Sequence, residues 1–346
     1  PLSYSEELGK ARNWYFETSL NYARTFGGHS VSGLVLYNQS KEYYPGTYSD
    51  IPRGYVGLVG RATYDYKKRY LAEVNIGYNG SENFHPSRRF GVFPAGSLGW
   101  VVSDEPFFSP LKGVVSFFKL RASWGLVGND KIGGSRFMYT DVPYTVNSSK
   151  YATRSGYAYN FGTDNATAFL GAYENSRNNP NVSWEKAFKQ NYGVDMNFLE
   201  ERLSTSFDYY KELRTDILLR DLSAPGIIGF SVPYANLGIV DSWGWELSLK
   251  WKDRVNKDFN YWFNMNLSHN QNKIIEKKET PYTNDFQYEK GSRIGSRYMY
   301  QFFRYYDADT PRLYEETFGK PFPQQLVDLK DGDAVFVDLD GNGVIN

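Results

Sequence analysis

The chain has 346 residues, and its 39 Lys and Arg balance 39 Asp and Glu, which argues against a nucleic-acid binder or a polybasic membrane-surface protein. It has no cysteine, so disulfide scaffolds, zinc–thiolate centres and cysteine catalysis are excluded. Aromatic residues make up 18% of the chain and glycine contributes 32 residues, while the mean hydropathy is −0.57. No stretch approaches the roughly 20 apolar residues of a spanning helix. This mix points to an all-β protein, either a soluble sandwich or propeller or an outer-membrane barrel.

Residues 1–20 contain no apolar core of a signal peptide, so the chain is expected to have lost a leader or to begin within a longer protein. From there a period of two dominates. Tyr70, Ala72, Val74, Ile76 and Tyr78 alternate with Arg69, Glu73, Asn75 and Asn79, and Phe118, Leu120, Ala122 and Trp124 with Lys119, Arg121 and Ser123. Tyr192, Val194, Met196 and Phe198 alternate with Asn191, Gly193, Asp195 and Asn197. Phe207 and Tyr209 alternate with Ser206 and Asp208. Trp243, Trp245, Leu247, Leu249 and Trp251 alternate with Gly244, Glu246, Ser248 and Lys250. Phe259, Tyr261, Phe263, Met265 and Leu267 alternate with Asn260, Asn264, Asn266 and Ser268. Such sets lie on opposite faces of a strand.

Ten strands are predicted, near 12–25, 29–40, 53–66, 69–80, 89–102, 115–126, 184–198, 203–213, 238–251 and 258–271. Each is roughly 10–15 residues long, against about 5–6 for a usual strand and about 9–11 for a tilted membrane span. Short links at 27–28, 67–68, 199–202 and 253–257, with a somewhat longer one near 104–113, alternate with long ones at 41–52, 81–88, 127–183, 214–237 and beyond 272. Strict alternation of short and long links is the habit of an up-and-down transmembrane barrel, with short turns at one end and long loops at the other. On that reading the polar set, including Lys119, Arg121, Glu246 and Lys250, faces a lumen; alternation by itself fits a solvated sheet face equally well.

The stretches Asn79-Gly-Ser-Glu-Asn-Phe84, Arg89-Phe90-Gly91-Val92-Phe93-Pro94 and Lys119 through Asp130 occur in that order. They are followed by Trp184-Glu185-Lys186, Asn191 through Asp195, Arg214-Thr215-Asp216, Ala235 through Leu247 and Asp333 through Asn346. In this order the sequence resembles the SusC/RagA family of TonB-dependent outer-membrane transporters of Bacteroidetes. The resemblance implies an all-β, antiparallel up-and-down transmembrane barrel with long extracellular loops, of which this chain would be part; barrels of that kind have about 22 strands and a plugged lumen. It implies that residues 1–346 belong to the barrel domain, with strands within 12–271 and extracellular loops at 127–183 and 272–346, and that the plug domain and the closing strands lie elsewhere. It further implies outer-membrane import of an oligosaccharide or peptide, a SusD-like surface lipoprotein as partner, energy from TonB–ExbB–ExbD through a plug region, contact with outer-membrane lipid, and no nucleic-acid partner. The alternative is a soluble or surface-exposed all-β glycan-binding module or adhesin.

Of the candidate sites, the acidic run Asp338-Leu-Asp340-Gly-Asn342-Gly343-Val344-Ile-Asn346 fits the first nine positions of an EF-hand-type loop. Asp338, Asp340 and Asn342 would offer side-chain oxygens, Val344 its carbonyl, and Asn346 a direct or water-mediated contact to Ca2+. The other reading is an Asp/Gly-rich surface turn. The loop aromatics Tyr139, Tyr144, Tyr151, Tyr157, Tyr159 and Phe161 either stack on a sugar ring or peptide side chain or pack their own long loop. No catalytic motif is present, and His29, His85 and His269 are far apart, so a non-enzymatic protein with no required cofactor is expected.

Overall fold

The computed structural model describes residues 11–43, 52–130, 136–140, 177–228, 232–282, 285–297 and 299–345, together with the backbone of four short strands between 145 and 173. The chain divides into two compact units, Pro1–Thr280 and Pro281–Asn346.

The first unit is built on strands β1 (Arg12–Phe26), β2 (His29–Tyr43), β3 (Arg53–Tyr66), β4 (Tyr70–Ser81), β5 (Phe90–Val101) and β6 (Val115–Asn129). Four short strands follow, β7 (Thr145–Val146), β8 (Ala158–Phe161), β9 (Thr167–Leu170) and β10 (Ala172–Tyr173), and then β11 (Glu185–Phe198), β12 (Leu203–Arg220), β13 (Tyr234–Arg254) and β14 (Asn260–Glu276). The ten long strands form one antiparallel sheet in chain order, β1-β2-β3-β4-β5-β6-β11-β12-β13-β14. The sheet is open: among the described residues β1 and β14 each have one neighbour.

Antiparallel partners point to the same face, so the registers fix which side chains share a surface. Tyr192 opposes Ala122 and Tyr209, Tyr209 opposes Trp245, and Leu247 opposes Phe207 and Leu267. Carried across β6 to β1, the same face holds Leu98, Ile76, Leu58, Val35 and Leu20. One continuous apolar face thus spans all ten strands, and it is bare, with Leu20 75% and Leu98 54% exposed. The opposite face carries Arg61, Glu73, Asn75, Lys119, Arg121, Asn191, Asp195, Asp208 and Glu246. On β4 the apolar positions run from Tyr70 to Tyr78, about 26 Å along the strand at about 3.3 Å per residue, or about 20 Å of height at the roughly 40° tilt of outer-membrane strands.

All the short turns lie on one rim. Gly27 takes φ +60 between β1 and β2, a left-handed conformation that suits the tight hairpin, and Lys67 and Lys68 take φ +54 and +57 between β3 and β4. The segments 44–52, 82–89, 130–184 and 221–233 leave from the opposite rim, as does the chain after Glu276. Strands β12, β13 and β14 run further toward that rim than alternation predicts, to Arg220, from Tyr234 and to Glu276. The reason is a bulge: pairing slips between Arg214 and Ile217, where Asp216 takes φ +58, and the slip inverts the alternating pattern beyond it.

The second unit holds β15 (Phe302–Tyr305), α1 (Thr310–Phe318) and β16 (Ala334–Phe336), with β15 and β16 paired. Tyr314 is fully buried, its ring 5.5 Å from Phe303, 4.7 Å from Phe318 and 5.5 Å from Phe322. A proline in the first turn and Gly319 at φ +64 bound the helix.

Candidate functional site: the polar wall and the loop-bearing rim

The polar face is organised around Arg121 on β6. Directly across from it on β11 is Gly193, and across from Gly193 on β12 is Asp208. A Cβ at 193 would lie 2.4 Å from the guanidinium carbon, so the missing side chain is what lets Arg121 lie flat across the intervening strand. Its Nη1 and Nη2 donate to the two oxygens of Asp208 at 2.7 and 2.6 Å, and its Nε donates to Asp195 at 3.0 Å. Nη2 also donates to Ser206 at 3.2 Å, and Ser206 in turn donates to Asp195 at 2.8 Å. Forked pairing of this kind fixes orientation as well as charge. On β3 and β4, Arg61 donates to Glu73 at 2.9 Å, and Asn75 donates to the other Glu73 oxygen at 2.8 Å.

Two grooves line this wall. One of about 380 Å3 runs past Glu73, Ser97, Lys119, Arg121 and Asn191. A second of about 700 Å3 runs past Asn75, Ser123, Lys189, Tyr210, Glu212 and Glu246. Both mix cations, carboxylates, amides and hydroxyls, a surface that can hydrogen-bond a polar solute along its whole length. None of these groups is a matched nucleophile–base pair.

The rim with the long connections has a core of its own. Phe84, Met138, Val182, Trp184 and Leu218 pack together, with Phe93 and Tyr234 against them. The Trp184 ring lies 5.5 Å from Phe84 and 5.2 Å from Phe93, and its Nε1 donates to the Arg89 carbonyl at 3.1 Å. Polar clamps surround it. Asn236 Nδ2 donates to the carbonyls of Ser183 and Asp216 at 2.9 and 2.7 Å, Glu185 accepts from the Leu218 N–H at 3.0 Å, and Arg136 pairs with Glu82. The described base of the loops is therefore a packed collar. Phe84, Phe93, Trp184 and Asn236 fall in the stretches that carry the family resemblance, but no period links them, so nothing in the sequence shows that they pack together with Met138, Val182 and Leu218.

Of the aromatic candidates, Tyr139 sits on this collar, its ring edge-on to His85 at 5.8 Å. Tyr144, Tyr151 and Tyr157 lie outside the described residues. Tyr159 and Phe161 fall on β8, whose backbone pairs with β9, but their side chains are outside what is described.

In the second unit Asp338 accepts the N–H groups of Gly341 and Gly343 at 2.7 and 2.8 Å, and Asn342 Oδ1 accepts the Val344 N–H at 2.8 Å. Asp340 accepts the Asn342 N–H at 3.1 Å. Burial raises the Asp338 pKa, but the N–H donors of Gly343 and Gly341 outweigh it and leave the carboxyl below its ordinary value. Among the described residues no three His, Asp or Glu side chains gather as a metal site. Asn346 lies outside the described residues.

No family model matches the sequence. Curated proteins do, among them two TonB-dependent receptors. TonB-dependent receptor P39 of Formosa agariphila is 32% identical over 84% of this chain and 26% of its own length. TonB-dependent receptor SusC of Bacteroides thetaiotaomicron is 31% identical over 84% of this chain and 27% of its own. By sequence, the chain belongs with the SusC-type TonB-dependent receptors. It spans about a quarter of the length of these curated relatives. Its fold matches the RagAB peptide importer in the "closed-closed" state at a TM-score of 0.68 and 21% identity, over 95% of this chain and 37% of the other. Its SusC-type relatives are receptors and not enzymes, and the polar wall with its packed rim is a stretch of such a receptor's barrel sheet.

Proposed function

We propose that the chain supplies part of the wall and mouth of an outer-membrane importer of the Bacteroidetes type, through which an oligosaccharide or a peptide passes. The observation that carries this is the single up-and-down sheet, bare and apolar on one face, polar on the other, with the connections 44–52, 82–89, 130–184 and 221–233 all leaving from one rim. The apolar face meets lipid and the polar face lines the path. RagAB, whose fold this sheet shares, is a peptide importer. The long-loop rim faces outside the cell, where a SusD-like lipoprotein docks over it, and TonB–ExbB–ExbD acts on a plug from the opposite side. The aromatics Tyr139, Tyr144, Tyr151, Tyr157, Tyr159 and Phe161 contact the cargo at the mouth. The test is deletion of part of 141–176 in the full-length receptor: uptake and lipoprotein association should both fall, and unchanged values for both would contradict the assignment of the mouth.

The loop from Asp338 to Asn346 is proposed to take Ca2+ through Asp338, Asp340, Asn342, the Val344 carbonyl and Asn346. Support comes from the ligand spacing and from Gly343 at the turn, at φ +85. Calcium titration of the full-length receptor should show a saturable rise in thermal stability that Asp340→Ala removes; no rise up to about 10⁻² M, beyond the range of weak extracellular sites, would contradict it.

A further inference from the structure

The apolar face is not flush over β3 to β6. Ala72, Leu98 and Ala122 form one register row, and Tyr70, Trp100 and Leu120 form the next. Two alanines beside three bulky side chains leave a groove of about 520 Å3, walled almost wholly by carbon. A water-borne ligand would find no polar partner in it.

At its short-turn end the groove meets a row of rings. Tyr70 and Trp100 lie near-parallel at 6.4 Å, Tyr66 is 6.4 Å from Tyr70, and Lys67 Nζ stands 5.3 Å from the Tyr66 ring centre. Lys67 and Lys68 occupy the two central positions of a turn that favours Asn-Gly, each at positive φ. The backbone does not ask for lysine there, and an unfavourable conformation retained at two successive residues points to a use for their side chains. Among the described residues neither ammonium is ion-paired. The turn's own carboxylate, Asp65, accepts the Lys68 N–H at 3.1 Å, and Glu105 is already held by Arg69, Tyr70 and Trp100 at 3.2, 2.6 and 3.2 Å.

An apolar trough, an aromatic collar and two unpaired cations at its end match the parts of a single phospholipid. We infer that this panel carries a phospholipid site, with an acyl chain in the groove over Ala72 and Ala122 and the phosphate against Lys67 and Lys68. The inference rests on the outer-membrane reading, since it takes the apolar face to be lipid-covered.

Native mass spectrometry of the full-length receptor tests it, with phosphatidylglycerol added and detergent raised until bulk lipid is stripped. The receptor should keep one phosphatidylglycerol. Ala72→Leu with Ala122→Leu, which fills the groove, should lose it. Lys67→Asn with Lys68→Gly, which suits the turn and so should fold, should weaken retention about thirtyfold, the effect of removing two cations from beside an anionic headgroup. Retention in both variants equal to that of the parent would overturn the site. Loss from the leucine variant alone would overturn the phosphate contact. A receptor that carries no detergent belt would instead overturn the outer-membrane reading.

Discussion

Gly193 and Arg121 show how one residue sets the wall. A side chain at 193 meets the guanidinium at contact distances no Cβ adopts, so Gly193→Ala should push Arg121 off Asp208. The guanidinium ends a flexible side chain and can swing away, so the cost is that of its displaced ion pairs at this partly exposed position, about 1 kcal/mol. Thermal unfolding of the full-length receptor in detergent should show the loss, and an unchanged midpoint would mean that Arg121 does not cross the strand. Neither partner is legible as such in the sequence: Arg121, Gly193 and Asp208 are far apart along the chain and meet only once the registers of β6, β11 and β12 are set. Glu105, in the turn after β5, supplies a pH test. Hydrogen bonds from Tyr70 and Trp100, with Arg69 alongside, hold its carboxyl below the ordinary glutamate value of 4.5. A carboxyl whose folded pKa is depressed stabilises in full above its unfolded pKa and loses that contribution as pH falls through the folded one. Stability should therefore drop as pH falls below about 4.5, and Glu105→Gln should flatten that part of the profile. A variant with the parent's acid sensitivity would remove Glu105 from the account.

Among the elements, β5 offers the sharpest contrast because neighbours in sequence face opposite media. Leu98→Arg places a charge on the apolar face, where the penalty is about 2–4 kcal/mol near a bilayer midplane. Ser97→Arg places the same charge on the wall beside Glu73, its partner across the strand pair. Folded yield in vesicles should fall for Leu98→Arg and hold for Ser97→Arg; equal yields would deny that the two faces see different surroundings. This alternation is what sequence reads well, since it is local: Tyr70 to Tyr78 and Trp243 to Trp251 point as the period of two requires. The extension of β12 past Asp216 escaped it because a bulge inverts the period. Helix α1 carries its signals, a proline in the first turn and Gly319 after the last, but it is nine residues long in a segment without other periodicity. The collar of Phe84, Met138, Val182, Trp184 and Leu218 was hidden for a different reason. Its members come from the connections 82–89 and 130–184 and from β12, which only the strand registers bring together.

At the scale of the molecule, the central claim is that the apolar face of the ten-stranded sheet lies against lipid and the opposite face against water. The open order from β1 to β14 leaves two strand edges, which in hydrocarbon require partners because unpaired backbone groups are not tolerated there. Residues 1–346 contain no cysteine, so a direct measurement needs only the thiols of the rest of the receptor, if present, to be replaced. Single cysteines placed at each position from Tyr70 to Tyr78 in the full-length receptor, spin-labelled and reconstituted in bilayers, report collision with oxygen, which concentrates in lipid, and with a nickel chelate confined to water. The account predicts a period of two across β4, with oxygen favoured at Ala72, Val74 and Ile76 and the chelate favoured at Glu73, Asn75 and Gly77. Equal access of the chelate to both sets would contradict it.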